Sequence, residues 1–294
     1  MQKGLPVSDS PETWPLPVDD ALASAGAPWL PGKVALVAGG GLSGPEGGVG
    51  FAMAWLYATN GASIAVLDRD EAAGMRTVDA VRALGVDAEF FAVDITDDAS
   101  VEMAVDAVVA RFGGIDIVAD SIGGTGTQPM FESTLEQFQL AMDLNFTQAW
   151  YLMRHAQKHM GRGGAIVTIS SGAAEGRGPG MAYSFGKSAL ERLTIGASAS
   201  LAPRGIRVNC VRVGMIWGAF AARGLTQEQR EFRAQNVRLK TEGNNWDIAA
   251  AAFYLTTEQS RWVSGQVLSV DGGGFADVPR GSAGSSNGPK AKES

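Results

Sequence analysis

The sequence of 294 residues predicts an α/β fold of three layers, in which helices cover both faces of a doubly wound, mainly parallel sheet. Short apolar runs alternate with segments of helical periodicity along most of the chain, as in parallel strands that are buried on both faces. No internal repeat and no linker interrupts this alternation. Seven strands are predicted, at 33–38, 63–67, 88–93, 115–119, 165–169, 206–213 and 266–270.

The first three strands are each followed by a helix. A glycine-rich loop separates the first strand from a helix predicted at 49–60, and the second strand leads to a helix that ends near Leu84. Thr96 or Asp97 is the expected N-cap of the third helix, because either side chain can accept a hydrogen bond from a first-turn amide. Three strand–helix units in succession favour a parallel sheet.

The second half of the chain has longer helices. Ser133-Thr134-Leu135-Glu136 has the pattern of a capping box and predicts the start of a helix that reaches toward Met160. After the fifth strand, a second long helix is predicted to begin near Tyr183 and end near Leu201.

Both ends of the chain differ in composition from the part between them. Residues 1–31 carry six prolines with little periodicity, and they predict an extended or disordered N-terminal arm. Residues 277–294 are rich in Gly, Ser and Lys and predict a disordered tail. A single α/β catalytic domain is therefore predicted at 32–276.

Composition and charge exclude several function classes. The net charge of −7 argues against binding to a nucleic-acid backbone. Because Cys210 is the sole cysteine, no intrachain disulfide can form, and a reducing compartment is expected. No apolar stretch approaches the ~18 residues of a membrane-spanning helix. We therefore expect a cytoplasmic protein that acts on a small molecule, without a membrane or nucleic-acid partner.

The two histidines are weak candidates for a metal site. His155 and His159 lie four positions apart on a predicted helix, but no third ligand is evident, so we predict a solvated helix face and no bound metal. With only two histidines, both on that helix, a Ser-His-Asp hydrolase is also hard to support.

The loop from Gly39 to Gly50 follows the first strand, and it is predicted to lie where the strand order of such a sheet reverses. Its glycines allow the backbone to approach a pyrophosphate, and the helix behind it offers free N–H groups. Asp68 closes the second strand, where a carboxylate can accept hydrogen bonds from an adenosine ribose and repel a 2′-phosphate. NAD is therefore favoured over NADP, although the neighbouring Arg69 weakens that preference.

Catalytic chemistry is suggested by Tyr183-Ser184-Phe185-Gly186-Lys187, because positions four apart share one helix face. A nearby ammonium favours the phenolate form of a tyrosine and so lowers its pKa. A serine hydroxyl at the end of the preceding strand could bind a substrate oxygen beside Tyr183. Both Ser170 and Ser171 qualify, and we prefer Ser171, because a bend can lose a residue more easily than a strand can shift register.

Several motifs in order resemble the short-chain dehydrogenase/reductase family over residues 33–274. They are the glycine loop, Asp68, Asp94-Ile95, Asn145, Ser170-Ser171 before Tyr183-x-x-x-Lys187, Arg207-Val208-Asn209, and Ser264-Gly265-Gln266-Val267 leading to Val270-Asp271-Gly272-Gly273. The resemblance implies a Rossmann-type fold, a homodimer or homotetramer, and nicotinamide-dependent oxidation of alcohols or reduction of ketones.

The resemblance also implies roles for individual residues. The catalytic set would be Tyr183 as general acid/base, Lys187 as its cationic partner, Ser171 as donor to the substrate oxygen, and Asn145 as support for a proton-relay water. The cofactor would contact Gly39, Gly48, Val49, Gly50, Asp68, Arg69, Asp94, Ile95, Gly123, Tyr183, Lys187, Gly214 and Ile216. A mainly apolar substrate pocket would involve Gly124, Met215, Trp217 and Phe220.

The chain departs from the family pattern in five places. The glycine loop is longer by about five residues, and Ala38 replaces the usual threonine. Asp120-Ser121-Ile122-Gly123 stands where the family has Asn-Asn-Ala-Gly. Val213-Gly214 replaces Pro-Gly, and Gly218 replaces a threonine that often contacts the cofactor.

We therefore predict an oxidoreductase that transfers hydride between NAD(H) and a secondary alcohol or ketone of a mainly apolar, cyclic or aromatic substrate. Two alternatives stay open. One is NAD-dependent epimerase or dehydratase chemistry by transient oxidation. The other is a non-catalytic, cofactor-sensing or scaffold subunit.

Overall fold

A parallel sheet of seven strands forms the centre of the protein. The computed structural model describes residues 28–176, 181–222 and 225–274. The strands of this sheet are β1 (Val34–Ala38), β2 (Ser63–Asp68), β3 (Ala88–Ala92), β4 (Ile115–Asp120), β5 (Met160–Ser171), β6 (Arg207–Val213) and β9 (Val267–Val270). They lie in the order β3-β2-β1-β4-β5-β6-β9, and each neighbouring pair is parallel.

Helices connect these strands. They are α1 (Val49–Thr59), α2 (Glu71–Arg82), α3 (Asp98–Phe112), α4 (Leu135–Met142), α5 (Gln148–Ala156), α6 (Ala182–Leu201), α7 (Ala219–Ala222), α8 (Gln227–Asn236) and α9 (Asn245–Thr256). A small second sheet pairs β7 (Ile216–Trp217) with β8 (Gly243–Asn244), which the sequence did not predict. Single 3₁₀ turns lie at 130–132, 157–159, 172–175, 202–204 and 258–260.

The core is divided into two layers by the sheet. Alternate residues of β1 face opposite sides: Ala35 and Val37 pack in the cluster with α1 and α9, and Leu36 and Ala38 in the cluster with α3 and α5. The predicted three-layer, doubly wound α/β fold is therefore confirmed. Strand order reverses between β1 and β4, so their carboxyl ends open the crevice in which such sheets bind ligands.

The helix predicted from Ser133 to Met160 is interrupted in the structure. A π-helical turn at Asp143–Thr147 separates α4 from α5, and β5 begins at Met160, well before the predicted start at Ala165. The early part of β5 contains Gly161, Gly163 and Gly164, which have low strand propensity and hide the strand from an apolar pattern.

Helix ends also differ from prediction in detail. The capping box consists of Thr134 and Gln137, one residue later than predicted. Asp97 is the N-cap of α3, one of the two expected candidates. Helix α2 ends at Arg82, two residues before the predicted Leu84, and Gly85 follows with φ +86°, a conformation that glycine tolerates best.

Most of the predicted arm and the whole predicted tail lie outside the described residues. Of the arm, the structure describes 28–31, where the Leu30 amide donates to the Asn60 carbonyl at 2.8 Å and the Leu30 side chain is buried. Among the helices of the described ranges, none has both the length and the apolar character needed to cross a membrane.

Candidate active site

Helix α6 brings Tyr183 and Lys187 to the carboxyl edge of the sheet. The Tyr183 amide donates to the Gly126 carbonyl at 3.0 Å, which ties the first turn of α6 to the loop after β4. Lys187 is 3% exposed, whereas Tyr183 remains partly exposed. The two side chains leave the same helix face, one turn apart.

The structure distinguishes the two serines at the end of β5. Ser171 and Tyr183 form a hydrogen bond between their side-chain hydroxyls. Ser170 is buried on the other side of the strand, where its Oγ donates to Glu191 Oε1 at 2.8 Å. Because successive strand residues face opposite sides, only Ser171 can share a site with Tyr183.

Burial controls the protonation of Tyr183. Desolvation raises the pKa of the Tyr183 phenol, and the hydrogen bond with Ser171 opposes this rise. The sequence argument expected Lys187 to lower this pKa, but the effect of burial is the largest and raises it. The Lys187 Nζ donates to the carbonyl oxygens of Ile122 at 3.0 Å and Ile169 at 2.8 Å.

The π-helical turn places Asn145, which is fully buried, against the loop after β4. Asn145 Oδ1 accepts from the Gly124 amide at 3.0 Å, and its Nδ2 donates to the Gly124 carbonyl at 2.7 Å and the Ala141 carbonyl at 2.8 Å. If a larger residue replaced Gly123, its Cβ atom would lie 2.6 Å from Lys187 Nζ and 2.9 Å from Asn145 Oδ1. This close packing explains the glycine at 123.

The glycine loop leads directly into α1. Gly39 has φ +72°, and a Cβ at Gly50 would lie 2.1 Å from the Gly39 carbonyl oxygen. Helix α1 begins after Gly48 without a side-chain cap, and a Cβ at Gly48 would meet nothing within 4 Å. Uncapped first-turn amides beside an open backbone suit the phosphates of a dinucleotide.

The residues inserted in this loop are held at both sides. The Leu42 amide donates to the Ala73 carbonyl on α2 at 3.0 Å. On the other side, Asn245 Nδ2 donates to the carbonyls of Glu46 at 3.1 Å and Gly47 at 3.2 Å. The Ala219 amide also donates to the Gly47 carbonyl at 3.1 Å. The longer loop is therefore anchored to α2, α7 and α9.

Asp68 ends β2 beside this loop. Its Oδ2 accepts from the Gly41 amide at 2.9 Å and its Oδ1 from the Asp70 amide at 3.1 Å. The carboxylate is partly buried, and Arg69 is exposed. Because two carboxylate oxygens offer about four acceptor positions, Asp68 keeps capacity for a ligand hydroxyl.

Asp94 and Ile95 follow β3 at the same edge. Asp94 is exposed, and hydrogen bonds from the Thr96 side chain and amide lower the pKa of its carboxyl. Ile95 is 7% exposed and belongs to the core cluster with α3 and α5. Its side chain therefore packs inward, and only its backbone is available at the edge.

The segment after β6 completes the edge. A Cβ at Gly214 would lie 2.4 Å from Asp271 Cα. Ile216 and Trp217 pair with β8, and the Arg230 guanidinium stacks 4.4 Å from the centre of the Trp217 ring. Met215, Ile216 and Trp217 are partly buried. The predicted Phe220 lies on α7, but its side chain is outside the described part of the structure.

Two departures from the family pattern have direct structural explanations. Ser121 Oγ donates to the carbonyls of Ala38 at 2.9 Å and Gly39 at 3.1 Å, so it ties β4 to the glycine loop. A Cβ at Gly218 would lie 2.3 Å from Asn245 Oδ1, so the threonine common in the family does not fit beside Asn245.

Sequence analysis missed three polar residues of this site. Ser121 was treated only as a departure, and neither Gln148 nor Asn245 was considered. Gln148 is fully buried, and its Nε2 donates to Asp120 Oδ2 at 2.9 Å. A glutamine among apolar residues, three positions after Asn145, is a signal that could have found it. Asn245 follows the N-cap of α9, a position typical of surface residues, and nothing in the pattern indicated its contact with the glycine loop.

The histidines pair with carboxylates. His155 Nε2 lies 2.7 Å from Asp98 Oδ1, and His155 Nδ1 lies 3.3 Å from Glu102 Oε1. His155 is 2% exposed, so the prediction of a solvated helix face is wrong for this residue, because α5 packs it against α3. Within the described ranges, no group of three or more potential ligands is placed to hold a metal ion.

The comparisons with known proteins agree on one family. A family model described as Enoyl-(Acyl carrier protein) reductase matches residues 44–274. 7alpha-hydroxysteroid dehydrogenase of Escherichia coli (strain K12) is 32% identical over 252 residues, which is 85% of this chain and 96% of that protein.

Two solved structures are also similar. One is 7 alpha-hydroxysteroid dehydrogenase complexed with NADH and 7-oxo glycochenodeoxycholic acid, at 30% identity and TM-score 0.77, covering 85% of this chain and 97% of that one. The other is a short chain dehydrogenase from Burkholderia cenocepacia J2315 in complex with NADP, at 31% identity and TM-score 0.75, covering 83% and 98%.

Proposed function

Since the chain belongs to the short-chain dehydrogenase/reductase family of oxidoreductases, which bind a nicotinamide cofactor, we propose that it transfers hydride between NAD(H) and a secondary alcohol or ketone. The observation that carries this proposal is the pair of hydroxyls of Ser171 and Tyr183, with Lys187 one helical turn behind, at the carboxyl edge of the sheet. A substrate oxygen beside both hydroxyls can receive one hydrogen bond and exchange one proton.

The residues of this chain supply proton transfer and orientation. A bound nicotinamide would supply the hydride donor or acceptor. Tyr183 gives a proton to the developing alkoxide during ketone reduction, or takes it during alcohol oxidation. Burial raises the pKa of the Tyr183 phenol, which favours the protonated form that donates during reduction. Ser171 holds the substrate oxygen, and the buried Lys187 ammonium favours phenolate when Tyr183 loses its proton.

The geometry of the edge supports the proposed cofactor contacts. Gly39, Gly48, Val49 and Gly50 would hold the pyrophosphate at the uncapped start of α1, and Asp68 would accept hydrogen bonds from the adenosine ribose. Arg69, Asp94 and the Ile95 backbone would lie near the adenine. Gly123, Gly214 and Ile216 would flank the nicotinamide half, together with Tyr183 and Lys187.

Similar structures contain either NADH or NADP, so they do not decide between the two cofactors. The proposal of NAD therefore rests on Asp68. We expect NADH to bind more tightly than NADPH, and Asp68→Asn to raise the Kd for NADH by roughly tenfold, since hydrogen bonds to a charged acceptor are lost. The Kd is measured by energy transfer from tryptophan to the reduced nicotinamide.

Asp70→Asn is the matched control, because Asp70 caps α2 with its side chain and is exposed. It should leave the preference for NADH unchanged. Equal affinity of the unaltered protein for NADH and NADPH would contradict the choice of NAD.

The substrate side of the proposed site is mainly apolar. Met215 and Trp217 lie on the segment after β6, and Gly124 lies on the loop after β4. With Phe220 on α7, these residues favour an apolar, cyclic or aromatic substrate. The similarity to a dehydrogenase named for a hydroxysteroid supports this class. Screening cyclic secondary alcohols with NAD, and ketones with NADH, tests it directly.

We also propose a homodimer or homotetramer in the cytoplasm. Exposed apolar side chains on α4 and α5, namely Leu135, Leu140 and Trp150, support assembly, because such side chains are often covered in oligomers. The expected result is a mass of two or four chains in light scattering coupled to size-exclusion chromatography. A single-chain mass at micromolar concentration would contradict it.

Neither alternative function is favoured by the relatives. Epimerase or dehydratase chemistry would form product with no net change in NADH. A scaffold subunit would bind cofactor without turnover. The substrate screen distinguishes both alternatives from the proposed reaction, in which NADH is formed or consumed together with the product.

A further inference from the structure

Asp120, the last residue of β4, is a buried carboxylate behind the proposed active site. It is 2% exposed. Its Oδ1 accepts from the Ile122 amide at 3.0 Å and its Oδ2 from Gln148 Nε2 at 2.9 Å. An ionised carboxylate at this depth is costly unless a cation compensates its charge.

Lys187 is the cation that the fold brings to Asp120. The Ile122 residue links the two groups, because its amide donates to Asp120 and its carbonyl accepts from Lys187 Nζ at 3.0 Å. Within the described ranges, no carboxylate forms a direct ion pair with Lys187. Burial raises the pKa of the Asp120 carboxyl and lowers the pKa of the Lys187 ammonium, and the charge of each group opposes the shift of the other.

Gln148 is the second buried partner of Asp120. Its Nε2 donates to Asp120, and its buried Oε1 has no partner in the described structure. The observed arrangement gives the carboxylate two donors and no acceptor, as an anion requires.

We propose that Asp120 is a positioning residue that keeps the buried Lys187 protonated and directed into the site. The family motif has asparagine at this position, so the negative charge is a feature of this chain. The catalytic consequence rests on the proposed function, in which Lys187 stabilises the Tyr183 phenolate. The electrostatic pairing of Asp120 with Lys187 does not depend on it.

Among the residues that the structure describes, three other titratable groups lie near this pair. Cys210 approaches Lys187 from β6, but burial raises the pKa of its thiol to about 11, so it is neutral at physiological pH. Tyr183 precedes Lys187 on α6. Glu191 lies one turn later, where it pairs with Arg212. Asp120 is therefore the anion that compensates Lys187.

The sign of the pH effect follows from these contacts. Burial lowers the pKa of Lys187, and Asp120 opposes this lowering. Removing the negative charge should lower the pKa of Lys187 further. Activity that needs the ammonium is then lost at a lower pH on the alkaline side.

Asp120→Asn tests the pairing directly, because it removes the charge and keeps the shape. The chain contains seven lysines, so the ε-carbon signals of ¹³C-labelled lysine can be followed individually by NMR. The signal of Lys187 is the one that is lost in Lys187→Met. We expect the titration midpoint of Lys187 to move to lower pH in Asp120→Asn. In kinetics, the ratio of kcat at about pH 9 to kcat at about pH 7 should fall by roughly threefold or more.

Asp116→Asn is the matched control. It removes a carboxylate from the same strand, but from an exposed pair with Lys33 at the other end of β4. It should leave the Lys187 midpoint and the kinetic ratio unchanged. An unchanged Lys187 midpoint in Asp120→Asn would overturn the proposal.

A double variant covers the case in which Asp120→Asn fails to fold. Lys187→Met leaves Asp120 buried without its cation, and Asp120→Asn with Lys187→Met removes both charges. We expect the double variant to resist urea better than Lys187→Met alone, because Lys187→Met leaves a buried carboxylate without its cation. A double variant that resists urea no better than Lys187→Met would overturn the pairing. If the unaltered protein oxidises no alcohol while the NMR midpoint moves as expected, the proposed function fails and the pairing stands.

Discussion

Tyr183→Phe is expected to lower kcat about 10³-fold, because general acid/base catalysis contributes roughly 10²–10⁴-fold in enzymes. The phenyl ring keeps the packing of Tyr183 at the start of α6, so the change removes the hydroxyl and little else. The Kd for NADH should stay within about twofold of its original value, since a single neutral contact is lost. Stopped-flow or steady-state absorbance of NADH measures kcat, and fluorescence energy transfer measures the Kd.

Tyr254→Phe on α9 is the control for this experiment. It removes the same atom from a partly exposed ring on another helix, and its kcat should be unchanged. If Tyr183→Phe turned over as fast as the unaltered protein, Tyr183 would not be the proton donor, and the proposed mechanism would be wrong.

Gly50→Ala is expected to have the largest effect on cofactor binding. Its Cβ would lie 2.1 Å from the Gly39 carbonyl oxygen and 2.6 Å from Ser121 Oγ, so the glycine loop or α1 must move. Overpacking of this kind costs about 2 kcal/mol of unfolding free energy. Because Gly39 would also bind the pyrophosphate, the Kd for NADH should rise by more than about tenfold. Urea unfolding and the fluorescence titration measure the two effects.

Gly44→Ala separates this clash from a general intolerance of the loop. Gly44 lies in the inserted part, and a Cβ there would meet nothing within 4 Å. This variant should bind NADH and unfold like the unaltered protein. Loss of binding in both variants would mean that loop flexibility, and not the contact between Gly50 and Gly39, controls the site.

The sequence by itself determined the α/β fold and the main members of the candidate site. Alternating apolar runs and helical segments are local patterns, so all seven strands of the main sheet and the helices that precede β6 could be predicted from short windows, whereas α7, α8 and α9 were not predicted. Tyr183 and Lys187 share a helix face by spacing alone. Asp68 and the glycine loop follow neighbouring strands, and parallel strands bring their carboxyl ends to one edge.

Local patterns failed where glycines or a π-helical turn broke the usual period. The start of β5 and the division between α4 and α5 were missed for this reason. The capping box was displaced by one residue, because Ser133 and Thr134 are both good N-caps and only the path of the chain decides between them.

Tertiary structure alone decided which polar groups meet. The sequence left Ser170 and Ser171 as two candidates with a preference for Ser171, and the direction of β5 turns Ser170 toward Glu191 and leaves Ser171 beside Tyr183. The contact between Asn245 and Gly47 joins residues 198 positions apart. Asp120 and Lys187 come from different layers of the fold. Such contacts depend on the packing of α6 and α9 against the sheet, which no local pattern encodes, because long-range packing is a property of the whole chain.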